Sequence, residues 1–348
     1  MTWNLPLPDN DAMSIGVTTF LPSGVDPVGS PATAFSATVA SLPPITRMLG
    51  AQCASCPSGT APKPAFSAPV ASTTVTLTAG TQLTSAVLAT GSQLVVTLNN
   101  GFTFDPINPP GGSPGIVTLA VLNGATTLGT LTLQGGSQTI PAGQAKNFTI
   151  ALAGTINTAS PITVTMTMDS PAGSAAQPVA MNPTTDAFTA SATPTINISS
   201  ATVSIGAQPV TASPTPLDLS QIDSSVVRRI VDDNQNRGTM FLTVTNPLTI
   251  GASTTITFRS PTGTPAADQI VPVTKNVVIP AAANATTPNV STIPVSLTGQ
   301  ELRRIFGRDV EVVFGGTTQA GSTTVTPTQR ISVSSRIQVN FTVKEQTP

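Results

Sequence analysis

From about residue 72 onward, apolar and polar residues alternate in short runs: Thr74-Val-Thr-Leu-Thr, Gln93-Leu-Val-Val-Thr-Leu, Ile116-Val-Thr-Leu-Ala-Val-Leu, Thr130-Leu-Thr-Leu, Phe148-Thr-Ile-Ala-Leu and Ile162-Thr-Val-Thr-Met-Thr-Met. Each run is bounded by Gly, Asn, Pro or Ser. A period of two predicts strands with one buried face, and turn residues at such intervals predict an antiparallel sandwich or barrel. The many β-branched residues suit a half-buried pleat. Residues 1–71 differ. They are rich in Pro, Ser and Ala, include Leu42-Pro-Pro-Ile-Thr and Pro62-Lys-Pro, and show no sustained period. That composition predicts an extended arm with one or two short strands.

The runs recur in order. Gly115-Ile-Val-Thr-Leu-Ala-Val-Leu-Asn-Gly matches Gly238-Thr-Met-Phe-Leu-Thr-Val-Thr-Asn-Pro, and Thr139-Ile-Pro-Ala-Gly matches Val278-Ile-Pro-Ala-Ala. Phe148-Thr-Ile-Ala-Leu-Ala-Gly then matches Thr292-Ile-Pro-Val-Ser-Leu-Thr-Gly, Ile162-Thr-Val-Thr-Met matches Val310-Glu-Val-Val-Phe, and the stretch from Pro183 matches that from Pro327. An ordered set of matches signals an internal repeat. The expected organisation is an arm over 1–71, one β-sandwich over 72–198 and a second over 199–348.

Two stretches of the second copy break the alternation. Leu219 to Asn234 places Ile222, Val226, Val227 and Ile230 at helical spacing. Thr298-Gly-Gln-Glu-Leu-Arg-Arg-Ile-Phe-Gly carries Thr with Glu three residues on, the capping-box signature, and stops at Gly307. Short helices inserted in the second sandwich are therefore expected. Arg228, Arg229, Arg303 and Arg304 would then lie on solvated helix faces or on a partner-binding face.

Composition narrows the setting. Charged residues make up 8% of the chain, the net charge is −1, and 39% of residues are hydrophobic. The usual charged share is about 25%, so no field draws nucleic acid or an anionic membrane to this surface. Residues 1–200 hold nine charges and the remaining twenty follow. A neutral surface of Thr, Ser, Ala and Gly does little to oppose self-association. It fits either a secreted, protease-resistant sandwich or a subunit covered by copies of itself. No apolar run is long enough for a spanning helix. Met-Thr-Trp-Asn-Leu-Pro-Leu-Pro-Asp-Asn-Asp has neither a basic nor an apolar leader region, so a route other than a signal peptide, or a leader already removed, is expected.

The chain has no His, which removes Ser-His and Cys-His catalysis, His-containing zinc sites and attached haem of the Cys-x-x-Cys-His kind. Cys53 and Cys56 are its only cysteines, too few for a structural zinc, so they form a local disulfide or pair with another chain. No carboxylate pair stands in a recognisable acid/base setting, and no metal or cofactor is expected. Asp232-Asp-Asn-Gln-Asn236 and Asp9-Asn-Asp11 read as turns rather than calcium loops. Lys146-Asn147 and Lys275-Asn276 raise an intramolecular isopeptide bond, for which no buried acid is evident. Asn99-Asn-Gly-Phe-Thr-Phe-Asp-Pro is a candidate ligand loop, with Phe102, Phe104 and Asp105 as its contacts.

The blocks Leu242-Thr-Val-Thr-Asn-Pro, Val295-Ser-Leu-Thr-Gly-Gln-Glu-Leu and Val333-Ser-Ser-Arg-Ile-Gln-Val give residues 70–345 a pattern that resembles the immunoglobulin-like modules of bacterial envelope proteins. The resemblance implies an exported, structural or adhesive protein and brings no catalytic residues with it. The expected fold class is all-β: two tandem antiparallel immunoglobulin-like β-sandwiches with an extended N-terminal arm. The expected function is a non-enzymatic structural subunit of a cell-surface or extracellular assembly, partnered by itself or by other envelope proteins. Its arm would pair with a neighbour's sheet edge through Leu5, Leu7, Ile15, Val17 and Phe20. A carbohydrate- or ligand-binding adhesin module and a virion decoration or tail protein are the alternatives.

Overall fold

The computed structural model describes residues 2–6, 13–16, 21, 25–37, 39, 42–75, 82–220, 222, 227 and 237–340. The chain is predominantly β and divides into two compact units, Leu21–Ala201 and a second that joins Met1–Phe20 to Thr202–Pro348.

In the first unit, one antiparallel sheet orders Thr126–Gln134, Ile116–Asn123, Ile162–Ser170 and Phe66–Val75. The other places Gln93–Asn100 between Gln144–Ala151 and the long strand Ala187–Ile205, whose first part also pairs with Leu42–Met48. Alternation decides which face is buried. Leu94, Val96 and Leu98 point inward from one sheet and Val117, Leu119 and Val121 from the other, each at most 1% exposed. A fully buried aliphatic or aromatic side chain of this size stabilises by about 1.5–3 kcal/mol. Phe66 of one sheet meets Phe102 edge-on at 6.4 Å, and Phe102 meets Phe188 of the other at 6.0 Å.

In the second unit, one sheet orders Asn289–Thr298, Arg237–Asn246 and Arg330–Asn340, and the last of these also pairs with Thr2–Pro6 and Met13–Gly16. The other orders Val273–Ile279, Ala252–Arg259 and Asp309–Thr318, with Pro209–Thr211 and Thr215–Asp218 both pairing with Asp309–Thr318. The helix Gly299–Ile305 has the expected reciprocal cap: the Glu301 amide donates to Thr298 Oγ1, and the Thr298 amide to Glu301 Oε2. It buries Leu302 and Ile305. The helix expected from Leu219 lies largely outside the described residues.

The two units share a plan. The neighbour order Gln144, Gln93, Ala187 strands corresponds to Asn289, Arg237, Arg330, and Thr126, Ile116, Ile162 corresponds to Val273, Ala252, Asp309, in the same chain order. One block of the sequence comparison shifts as a result. The counterpart of Arg237–Asn246 is Gln93–Asn100, not the Ile116 strand, because both are central strands flanked by the equivalent neighbours.

Residues 1–71 carry more than the one or two short strands expected of an extended arm. Besides the two N-terminal strands, Val25–Val28, Ala34–Ala37, Leu42–Met48, Gly59–Ala61 and the start of Phe66–Val75 pair within the chain's own sheets. Two carry Pro at exposed positions, Val25–Val28 with Pro27 and Leu42–Met48 with Pro43 and Pro44. Edge strands tolerate Pro because one side of their backbone needs no ladder partner, and the same Pro erases the alternation by which a strand is recognised.

Candidate functional site

The end of the Gln93 strand concentrates the polar chemistry of the first unit. Asn100 is wholly buried; its Nδ2 donates to the Phe104 carbonyl at 2.9 Å and the Ile140 carbonyl at 2.8 Å, and its Oδ1 accepts from the Phe102 amide. Asp105 continues the clamp, accepting from the amides of Ile107, Asn108 and Ile140 and from Asn108 Nδ2. The loop is thereby folded inward. Phe102 and Phe104 stack at 5.3 Å and are 1% and 2% exposed. They offer no platform to a ligand, and the Asp105 carboxylate serves the backbone.

The same device stands in the second unit. Asn246, 1% exposed, donates to the Ile250 and Pro280 carbonyls, both at 2.9 Å, and accepts from the Leu248 amide. Leu248 and Ile250 are buried as Phe102 and Phe104 are. The hydroxyls of Thr103 and Thr249 each donate to a carbonyl of a later strand, Ala180 and Ser322 respectively. The shared signature Asn-x-apolar-Thr-apolar, Asn100 to Phe104 and Asn246 to Ile250, was available in the sequence.

Lys63 is the unexpected residue. It lies between Pro62 and Pro64 and is 1% exposed. Its ammonium donates to the carbonyls of Pro64 at 2.9 Å, Ser170 at 3.2 Å and Pro171, and sits 4.7 Å from the Phe66 ring centroid and 5.4 Å from that of Phe104. Burial pushes its pKa from the ordinary 10.5 down to about 8. Three carbonyls and two ring faces take the place of a counter-ion. The amine ties the segment before the Phe66 strand to the end of Ile162–Ser170, where the Gly173 amide also donates to the Lys63 carbonyl.

Cys53 and Cys56 form a disulfide just after the helical turn Leu49–Gln52, and both are buried. Hydrogen bonds donated by the Leu49 amide to the Asp186 carbonyl and by the Gly50 amide to the Pro183 carbonyl hold that turn. Lys146 lies on the outer strand Gln144–Ala151, donating to the Thr139 carbonyl, while Asn147 accepts from Thr97. Lys275 pairs with Glu301, the capping carboxylate, whose pKa is lowered by that partner and the Thr298 amide against the opposing effect of burial. The other ion pair among the described residues joins Arg259 to Glu311.

Of the arm residues, Leu5 stands opposite Ile337 and Ile15 opposite Ile331. Leu7, Val17 and Phe20 lie outside the described residues, as do Asp9, Asp11, Arg228, Arg229 and Asp232 to Asn236. Among the described residues no group of three or more His, Cys, Asp or Glu is placed to hold a metal ion, and no helix is long and apolar enough to cross a membrane.

No protein-family model and no curated protein matches the chain. Among solved structures, it is similar over 98% of its length to a "putative secreted protein" from Parabacteroides distasonis, covering 99% of that chain at 10% identity and a TM-score of 0.28. It is similar over 90% of its length to infectious bursal disease virus, Gx strain, covering 74% of that chain at 13% identity and a TM-score of 0.19. The VP2 subviral particle of infectious bursal disease virus matches with the same coverages, at 10% identity and a TM-score of 0.20. Scores this low carry no argument about function.

Proposed function

We infer that this chain is a non-enzymatic structural subunit of an extracellular, cell-surface or virion assembly, built from two related immunoglobulin-like sandwiches. The observation that carries the reading is the poverty of charge on the first unit. Residues 21–201 hold seven charged side chains, Asp26, Arg47, Lys63, Asp105, Lys146, Asp169 and Asp186, of which Lys63 and Asp186 are buried. Only Asp26, Lys146 and Asp169 are exposed, Arg47 and Asp105 being half-buried. Like-charge repulsion between copies is correspondingly weak, and covering a Thr- and Ser-rich surface costs less desolvation than covering a charged one, provided its hydroxyls find hydrogen-bond partners.

Two further features support it. The disulfide suits an oxidising setting. The phenylalanines of the candidate ligand loop are spent on the core, which favours a framework role over an adhesin pocket. The test is light-scattering mass combined with negative-stain microscopy on unreduced native material. Regular filaments, sheets or shells are expected; a monodisperse monomer at all concentrations overturns the reading.

A further inference from the structure

We propose that the two N-terminal strands of one copy complete the sheet of a second copy, so that Thr2–Pro6 and Met13–Gly16 are the exchanged element and the Arg330–Asn340 strand is the acceptor. This rests on the structural-subunit reading and names its partner, another copy of this chain.

The register defines the joint. Trp3, Leu5, Met13 and Ile15 stand opposite Val339, Ile337, Val333 and Ile331, and those four acceptor residues are each at most 4% exposed. Directly opposed residues on antiparallel strands are the unit of sheet recognition, so the alternation fixes both strands in one register. If the place beside Arg330–Asn340 stood empty, a row of backbone donors and acceptors along that strand would lose its partners. That place is therefore filled, and its filler needs only the right sequence, not the same chain.

The connectivity leaves the choice of chain open. The strands reach their acceptor across the whole of residues 21–201, a compact unit of its own. In the first unit the corresponding place beside Ala187–Ile205 is held by Leu42–Met48, a strand of that same unit. Exchange of an identical element keeps every backbone hydrogen bond of the closed form and adds an intermolecular link, which makes it a low-cost route to association. The weakly charged first unit lets copies approach.

The test uses the opposed pair Asn4 and Gln338. Asn4→Cys and Gln338→Cys are made in separate full-length chains whose Cys53–Cys56 bond is kept closed. The two are mixed, co-refolded at high concentration and oxidised. A disulfide between positions 4 and 338 of different chains, identified by peptide mass, is the expected result, with a yield that rises with total chain concentration. Absence of that link at every concentration, while the double variant closes within one chain, overturns the proposal. A second measurement needs no variant: a synthetic peptide of residues 1–16 added in excess during refolding of the native chain should compete for the acceptor strand and reduce the light-scattering mass to that of a monomer. An unchanged mass also overturns it. Regular assemblies without the 4–338 link would retain the structural-subunit reading and refute exchange. Linked closed dimers without regular assemblies would do the reverse.

Discussion

Asn246→Ala tests how much a buried clamp contributes to the second unit. The side chain makes three hydrogen bonds, two donated to the Ile250 and Pro280 carbonyls and one accepted from the Leu248 amide, at 2.9 to 3.0 Å. At 1% exposure no water replaces them without rearrangement. Each orphaned buried group costs about 1–3 kcal/mol, and partial relaxation of the loop reduces the sum, so a loss of about 3–5 kcal/mol is expected. That is a large share of the roughly 5–15 kcal/mol that holds a typical domain together. The assay is urea unfolding followed through Trp3, the single tryptophan, which lies on a strand of this unit. Asn246→Asp, which keeps the acceptor but turns a carboxylate toward two carbonyls, should be no milder. Asn100→Ala should produce a comparable loss in the first unit, read by hydrogen exchange of the Gln93 strand, and leave the Trp3 transition in place. A loss below about 1 kcal/mol in Asn246→Ala would show that the loop collapses or hydrates freely, and the clamp argument would fail.

Lys63 predicts a pH dependence. Its folded value of about 8 lies below the ordinary 10.5, so between those values the unfolded chain binds more protons than the folded one. Stability of the first unit should therefore rise as pH increases from about 8 to 10.5 and be flat in this respect below that window. Lys63→Met should remove the rise; an identical slope in the variant, measured by denaturant titration across the window, would assign it to other groups. Cys53→Ser with Cys56→Ser opens a loop of only four residues. The chain-entropy relation gives about 2 kcal/mol for so short a loop, and the backbone hydrogen bonds to the Asp186 and Pro183 carbonyls should hold the turn in place. Unfolding of the first unit before the second after reduction would show that the bond matters more than loop length implies.

What could be read from the chain and what could not divides along the range of the interactions. Strands such as Gln93–Asn100 and Ile162–Ser170 announce themselves because their buried faces repeat every second residue, a property local to eight or nine positions. The cap of Gly299–Ile305 is equally local, with Thr298 and Glu301 three apart. The first block of the repeat falls one strand away from its structural counterpart because alternating Thr, Val and Leu look alike in any half-buried strand. Asn100 and Asn246, each followed by two apolar residues around a Thr, identify the central strand better than its alternation does. The same motif explains Phe102 and Phe104: a loop after a strand reads as solvent-facing until the preceding Asn is seen to turn it inward. Lys63 had no such marker, since its burial depends on carbonyls at Ser170 and Pro171, more than a hundred residues away.

The N-terminal strands are the extreme of that range: their pairing was expected but their acceptor was not legible, and the reason for that is also the reason they can be shared. Thr2–Pro6 is too short to show a period and ends on Pro, so nothing local separates it from an extended spacer. Its strand character comes from Arg330–Asn340, at the other end of the sequence. A segment whose structure is dictated by so distant a partner gains nothing from local propensity. Its seating therefore depends on the effective concentration of an acceptor edge: one in its own chain, and one on every neighbouring copy. Dilution should favour the first and crowding the second, and so the concentration dependence of the 4–338 link is the decisive quantity.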